Sequence, residues 1–66
     1  MIVAGVDIGS LTAKTVVLQD NSILSYSIIP AGPDVVQVAE HSLGVALGKA
    51  GLERGDLAAV FATGYG

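Results

Sequence analysis

Residues 5–18 read GVDIGSLTAKTVVL, from Gly5 through Asp7, Gly9, Ser10 and Lys14 to Leu18. The left half closes a short, nearly continuous apolar run, Ile2–Ile8 (IVAGVDI), rich in β-branched residues. Such a run reads as a strand buried on both faces. Gly9 and Ser10 interrupt it, and residues 13–19 (AKTVVLQ) form a second strand candidate. So short a break makes the pair an antiparallel hairpin. Asp7 ends the first strand. An unpaired carboxylate buried among apolar side chains costs on the order of several kcal/mol, so Asp7 must face solvent, a partner or a metal.

Outward from the hairpin, Asp20-Asn21-Ser22 is a turn cluster, because Asp and Asn tolerate left-handed backbone angles. Residues 23–29 (ILSYSII) then alternate with period two. Leu24, Tyr26 and Ile28 share one face, and Ser25 and Ser27 the other. This reads as an edge strand with one wet side, Tyr26 belonging to the core. Pro30 to Pro33 break the strand. Asp34 stands at a helix N-cap, with Gln37 at capping-box spacing. The spacing predicts a helix over Val35–Ala50, with Val35, Ala39, Leu43, Ala46, Leu47 and Ala50 as its apolar stripe. Gly44 and Gly48 each weaken that helix by about 1 kcal/mol against Ala, and the expected return is close packing on the sheet. Gly51 is a natural residue just past the helix end. Glu53 to Asp56 form a turn, residues 57–62 (LAAVFA) a fourth strand, and Thr63 to Gly66 begin a loop. The order is β-β-β-α-β. The helix is a crossover, so the fourth strand lies parallel to a strand of the meander. One helix covers one sheet face, and nothing in these residues covers the other.

Composition agrees. The chain has 66 residues, 52% of them apolar and 14% charged, against a usual charged share of about 25%. Mean hydropathy is +0.69. That is more apolar surface than so short a chain can bury, since small domains hide only about 60% of their unfolded surface. Disorder is excluded on the same grounds. The expectation is an incomplete part of a larger domain, completed by the rest of that domain or by self-association. The net charge of −3 and the lack of a Lys/Arg cluster argue against nucleic acid. There is no Cys, hence no disulfide or thiolate metal site. No apolar run is long enough to span a bilayer, and no signal peptide is recognisable, so the cytoplasm is the expected compartment.

The chemistry lies in Asp7, Gly9, Ser10 and Lys14. Gly9 allows a tight turn and close approach of a ligand to its N–H. Successive N–H groups in such a turn form a concave anion site. A strand-end carboxylate, turn amides and a lysine together suit Mg2+ and a polyphosphate: the carboxylate holds metal-bound water, the amides take phosphate oxygens. The plainer reading is a Gly-Ser turn between a surface Asp and a surface Lys. Elsewhere the residues are quieter. His41 is a lone surface histidine, Asp34 a cap, and Ser10 lacks the Gly-x-Ser-x-Gly elbow of a nucleophile.

The run GVDIGSLTAKTVVL, followed by a hairpin, resembles the first phosphate-binding segment of the superfamily of acetate and sugar kinases, heat-shock chaperones and actin. The resemblance implies a ribonuclease-H-like, actin-like ATPase core, here partial. The spacing D-x-G-S-x-x-x-K, the short passage from third strand to helix, and the terminal ATGYG (Ala62 to Gly66) resemble one branch. This is the BadF/BadG/BcrA/BcrD group: activators of 2-hydroxyacyl-CoA dehydratases and ATPase subunits of benzoyl-CoA reductases. The resemblance spans the chain but only about the first quarter of such a protein. It implies that Asp7 organises the Mg2+ hydration shell and serves catalysis. It implies that Gly9 and Ser10 contact the phosphates of ATP, that Lys14 is their charge partner, and that Gly64 lies at the nucleotide. The family further implies a homodimer bridged by a four-iron four-sulfur (4Fe–4S) cluster, which sends a low-potential electron to a dehydratase or reductase. The cluster cysteines, a second phosphate motif and the adenosine site lie beyond these residues, so the 66-residue piece alone is not expected to turn over ATP. Two alternatives share the fold. A sugar or small-molecule kinase would need an acceptor site, and a nucleotide-gated actin-like assembly module would need filament surfaces.

Overall fold

A computed structural model describes residues 1–64. Four strands and one long helix follow in the order β1 (Ile2–Ile8), β2 (Thr12–Gln19), β3 (Ser22–Pro30), α1 (Val35–Ala50) and β4 (Ala59–Gly64), with a single 3-10 turn at Arg54–Asp56 before β4. The sheet order is β3-β2-β1-β4. β1 pairs antiparallel with β2 and parallel with β4. The mixed sheet with one covering helix is the expected architecture.

The turns follow their residues. Asp20 takes φ 53°, the left-handed conformation expected of that cluster. Asp34 accepts the Gln37 N–H at 3.1 Å and caps α1. Gly51 ends the helix at φ 69°, its N–H donating to the Gly48 carbonyl at 3.2 Å.

α1 lies over β3 and β2, and less over β1. Beneath it sit two apolar clusters. One is Ala4, Val17, Leu43, Ala46 and Leu47, the other Val6, Ile8 and Ala13. β1 is therefore buried on one face rather than two, with Ala4, Val6 and Ile8 inward and Val3, Gly5 and Asp7 on the open side.

The faces of β3 are the reverse of the sequence expectation. Ser27 is buried against the helix, whereas Tyr26 and Ile28 are each 58% exposed and Leu24 40%. Tyr26 is not core. The reason is a polar seam. The Ser27 hydroxyl donates to the Ser42 carbonyl at 2.8 Å, and the Ser25 hydroxyl to the Ala46 carbonyl at 2.6 Å. Two strand residues advance about 6.7 Å and four helix residues about 6 Å, so both bonds form side by side. Ser42 also shares hydroxyl hydrogen bonds with Thr15 at 2.7 Å and Ser27 at 3.0 Å. Small serines bring the helix close, and every hydroxyl in the seam is satisfied.

Gly44 and Gly48 do not mediate that approach. Both are solvent-exposed, and a Cβ on either would meet nothing within 4 Å. β4 starts two residues later than expected because Glu53 to Leu57 close a 3-10 turn first. It also runs further, so Thr63 and Gly64 are strand residues rather than loop. Tyr65 and Gly66 lie outside the described residues.

Candidate functional site at the end of β1

The hairpin between β1 and β2 is closed by the Gly9 N–H donating to the Thr12 carbonyl at 2.8 Å. The Gly9 amide is thus engaged inside the turn; a Cβ there would sit 3.4 Å from that carbonyl oxygen, an ordinary contact, so the turn itself does not demand glycine. The amides of Ser10 and Leu11 have no backbone acceptor among the described residues. Both residues are exposed at the tip. The Leu11 carbonyl is held by the Ala31 N–H at 2.9 Å, which ties the tip to the linker between β3 and α1. The tip therefore offers two N–H groups without a backbone acceptor and the Ser10 hydroxyl, donors suited to an anion. Leu11 was not singled out in the sequence, because its side chain carries no signal and its contribution is backbone.

Asp7, Lys14 and Thr63 meet on the open face. The antiparallel register sets Asp7 opposite Lys14, and the parallel register sets Asp7 opposite Thr63. Directly paired residues point to the same side of a sheet. The Thr63 hydroxyl donates to Asp7 Oδ1 at 3.2 Å. Among the described residues Asp7 and Lys14 make no ion pair within 4 Å. Asp7 and Lys14 are both exposed, so neither bears the cost of a buried charge. Of the residues named from sequence, Asp7 and Lys14 stand in register, with the Gly9-Ser10 turn at the same end of the sheet. Gly64 is paired with Ile8 at the end of β4. Its neighbour Thr63 escaped notice as a partner of Asp7, since 56 residues separate the two.

A bound Mg2+ with a phosphate chain fits the donors present. Asp7 keeps one oxygen clear of Thr63, the tip supplies free N–H groups, and Lys14 supplies positive charge. Magnesium binds through one or two carboxylates and retained waters rather than an all-protein cage, and no cluster of three or more His, Cys, Asp or Glu occurs among the described residues. With no cysteine in the sequence, these residues offer no thiolate for an iron–sulfur cluster.

No family model and no curated protein sequence matches the chain. Solved structures do. The chain is 36% identical, over its whole length, to the activator of 2-hydroxyisocaproyl-CoA dehydratase from Clostridium difficile, solved with bound ADPNP, at a TM-score of 0.87. It is 29% identical over 98% of its length to component A of (R)-2-hydroxyglutaryl-CoA dehydratase from Acidaminococcus fermentans, at 0.88. A ROK hexokinase from Thermus thermophilus matches at 21% identity and 0.83, a likeness of fold alone. All three belong to the actin-like ATPase superfamily. The chain spans about a quarter of the length of each. Its four strands and helix are the corresponding part of an actin-like, ribonuclease-H-like ATPase fold.

Proposed function

We propose that residues 1–66 are the N-terminal, phosphate-binding part of an actin-like ATPase domain. In this reading the protein that carries them is an activator coupling ATP hydrolysis to low-potential electron transfer toward an acyl-CoA dehydratase or reductase. The observation that supports this reading is the 36% identity, over the whole chain, to a dehydratase activator solved with an ATP analogue. The hairpin site supports the nucleotide half of it on independent physical grounds. In this assignment Asp7 orients water in the Mg2+ hydration shell, and Ser10, with the neighbouring tip amides, receives phosphate oxygens. Gly9 closes the turn through its N–H, Lys14 balances phosphate charge, and Gly64 borders the nucleotide. The bound metal neutralises phosphate charge. The electron-transfer cluster, the homodimer and the dehydratase contact belong to residues outside this chain. Among the described residues no helix is long and apolar enough to cross a membrane, and the activator reading puts the protein in the cytoplasm.

The test is Asp7→Ala in the full-length protein. Mg2+-dependent ATP hydrolysis is expected to fall to background while circular dichroism and the thermal midpoint hold, because Asp7 is exposed and packs no core. Unchanged turnover would remove Asp7 from the site.

A further inference from the structure

We infer that Thr63 is a positioning residue: its hydroxyl fixes the Asp7 carboxylate in the orientation that a hydrated divalent cation and its phosphate ligand require. The inference rests on the nucleotide-binding reading above and adds a residue to it. The carboxylate of an exposed Asp on a strand turns freely about its last torsion, whose energy well is broad. In this sheet that freedom is limited from one side. Thr63 stands beside Asp7 in the parallel β1/β4 register, and its hydroxyl donates to Oδ1 at 3.2 Å. A β-branched residue in a strand has few side-chain rotamers, so the donor is itself held in place. Oδ2 is left for other ligands. From the other side Lys14 faces Asp7 across the β1/β2 register without closing on it, so the cation does not pull the carboxylate away from Thr63. The bond is longer than an optimal O–H···O contact, so it steers the carboxylate more than it stabilises the fold. Mg2+ tolerates little departure from octahedral geometry, and loss of a partner that orients a metal-binding group commonly costs about 10- to 100-fold in metal affinity or activity.

The experiment uses the full-length protein with Thr63→Val, Thr63→Ser, Asp7→Asn and the Asp7→Asn/Thr63→Val double variant. ADPNP binding is measured by calorimetry across a Mg2+ titration, alongside ATP turnover. Thr63→Val is expected to raise the half-saturating Mg2+ concentration by about tenfold with the thermal midpoint unchanged. Thr63→Ser, which keeps the hydroxyl, should restore it to within about twofold. On the Asp7→Asn background, Thr63→Val should add no further loss, since its action runs through the carboxylate. A wild-type Mg2+ requirement in Thr63→Val overturns the inference. So does an equal defect in Thr63→Ser, or a full-sized effect of Thr63→Val without the Asp7 carboxylate. These outcomes, with Asp7→Asn impaired, leave the nucleotide reading standing. Mg2+-independent ADPNP binding in the wild type, or Asp7→Asn matching the wild type, overturns both.

Discussion

At the scale of single residues, Ser42 governs how helix and sheet meet. Its hydroxyl is wholly buried and bonded to both Thr15 and Ser27, while its carbonyl takes the Ser27 hydroxyl. Removing one member of such a network leaves a buried hydroxyl short of a partner, which costs about 1–3 kcal/mol. Ser42→Ala should therefore destabilise the full-length protein by about that much in urea titration. The pair Ser42→Ala with Thr15→Val should cost less than the two single changes summed, because neither orphan remains. Strict additivity would mean that the hydroxyls do not act together. The same seam marks a limit of reading the sequence. Alternation in residues 23–29 revealed two faces of β3, but not which one faces inward, since hydrophobic count favours Leu24, Tyr26 and Ile28. The serine face faces inward because helix carbonyls at Ser42 and Ala46 are spaced to receive Ser27 and Ser25. Such a match lies between segments and leaves no trace in either alone.

At the scale of elements, what local chemistry controls was legible. Asp34, the 3.6-residue stripe and Gly51 bound α1 to the residue, and Ile2–Ile8 bounds β1. The start of β4 was not legible, because the turn at Arg54–Asp56, closed by its own Glu53–Asp56 capping box and by the Leu57 N–H donating to the Arg54 carbonyl, takes the first residue of the apolar run out of the strand. The extent of β4 matters for the site: two more strand residues bring Thr63 level with Asp7. Gly44 and Gly48 invite a direct prediction. Neither is needed for packing, neither has positive φ, and a Cβ on either enters open space. Gly44→Ala and Gly48→Ala should each stabilise the protein by about 0.5–1 kcal/mol, read as a higher denaturation midpoint. Asp34→Ala should move it the other way by about 1 kcal/mol. A loss on Gly44→Ala would mean that the outer face of α1 is covered in the intact protein.

At the scale of the whole molecule, one sheet face carries no covering element among the described residues. Tyr26, Ile28 and Phe61 are each more than half exposed there, and the row Thr63, Asp7, Lys14 crosses its end. β4 is partly open on the other face as well, with Val60 39% exposed and Ala62 also exposed. Apolar surface of this extent on a small unit marks an interaction site or an aggregation liability. In the reading proposed above, the remaining three quarters of an activator-sized protein would supply the cover and the second wall of the nucleotide cleft. Two consequences follow for the 66-residue polypeptide expressed alone. It should self-associate through the open face, giving a light-scattering mass above that of the monomer, and the pair Tyr26→Lys with Phe61→Lys should return it toward monomer. It should also bind Mg-ATP more weakly than micromolar by calorimetry, because the tip amides and Asp7 grip only one side of the phosphates. A monomer with micromolar affinity would mean that the hairpin site is complete as it stands, and the argument that the apolar face awaits a second layer would fall with it.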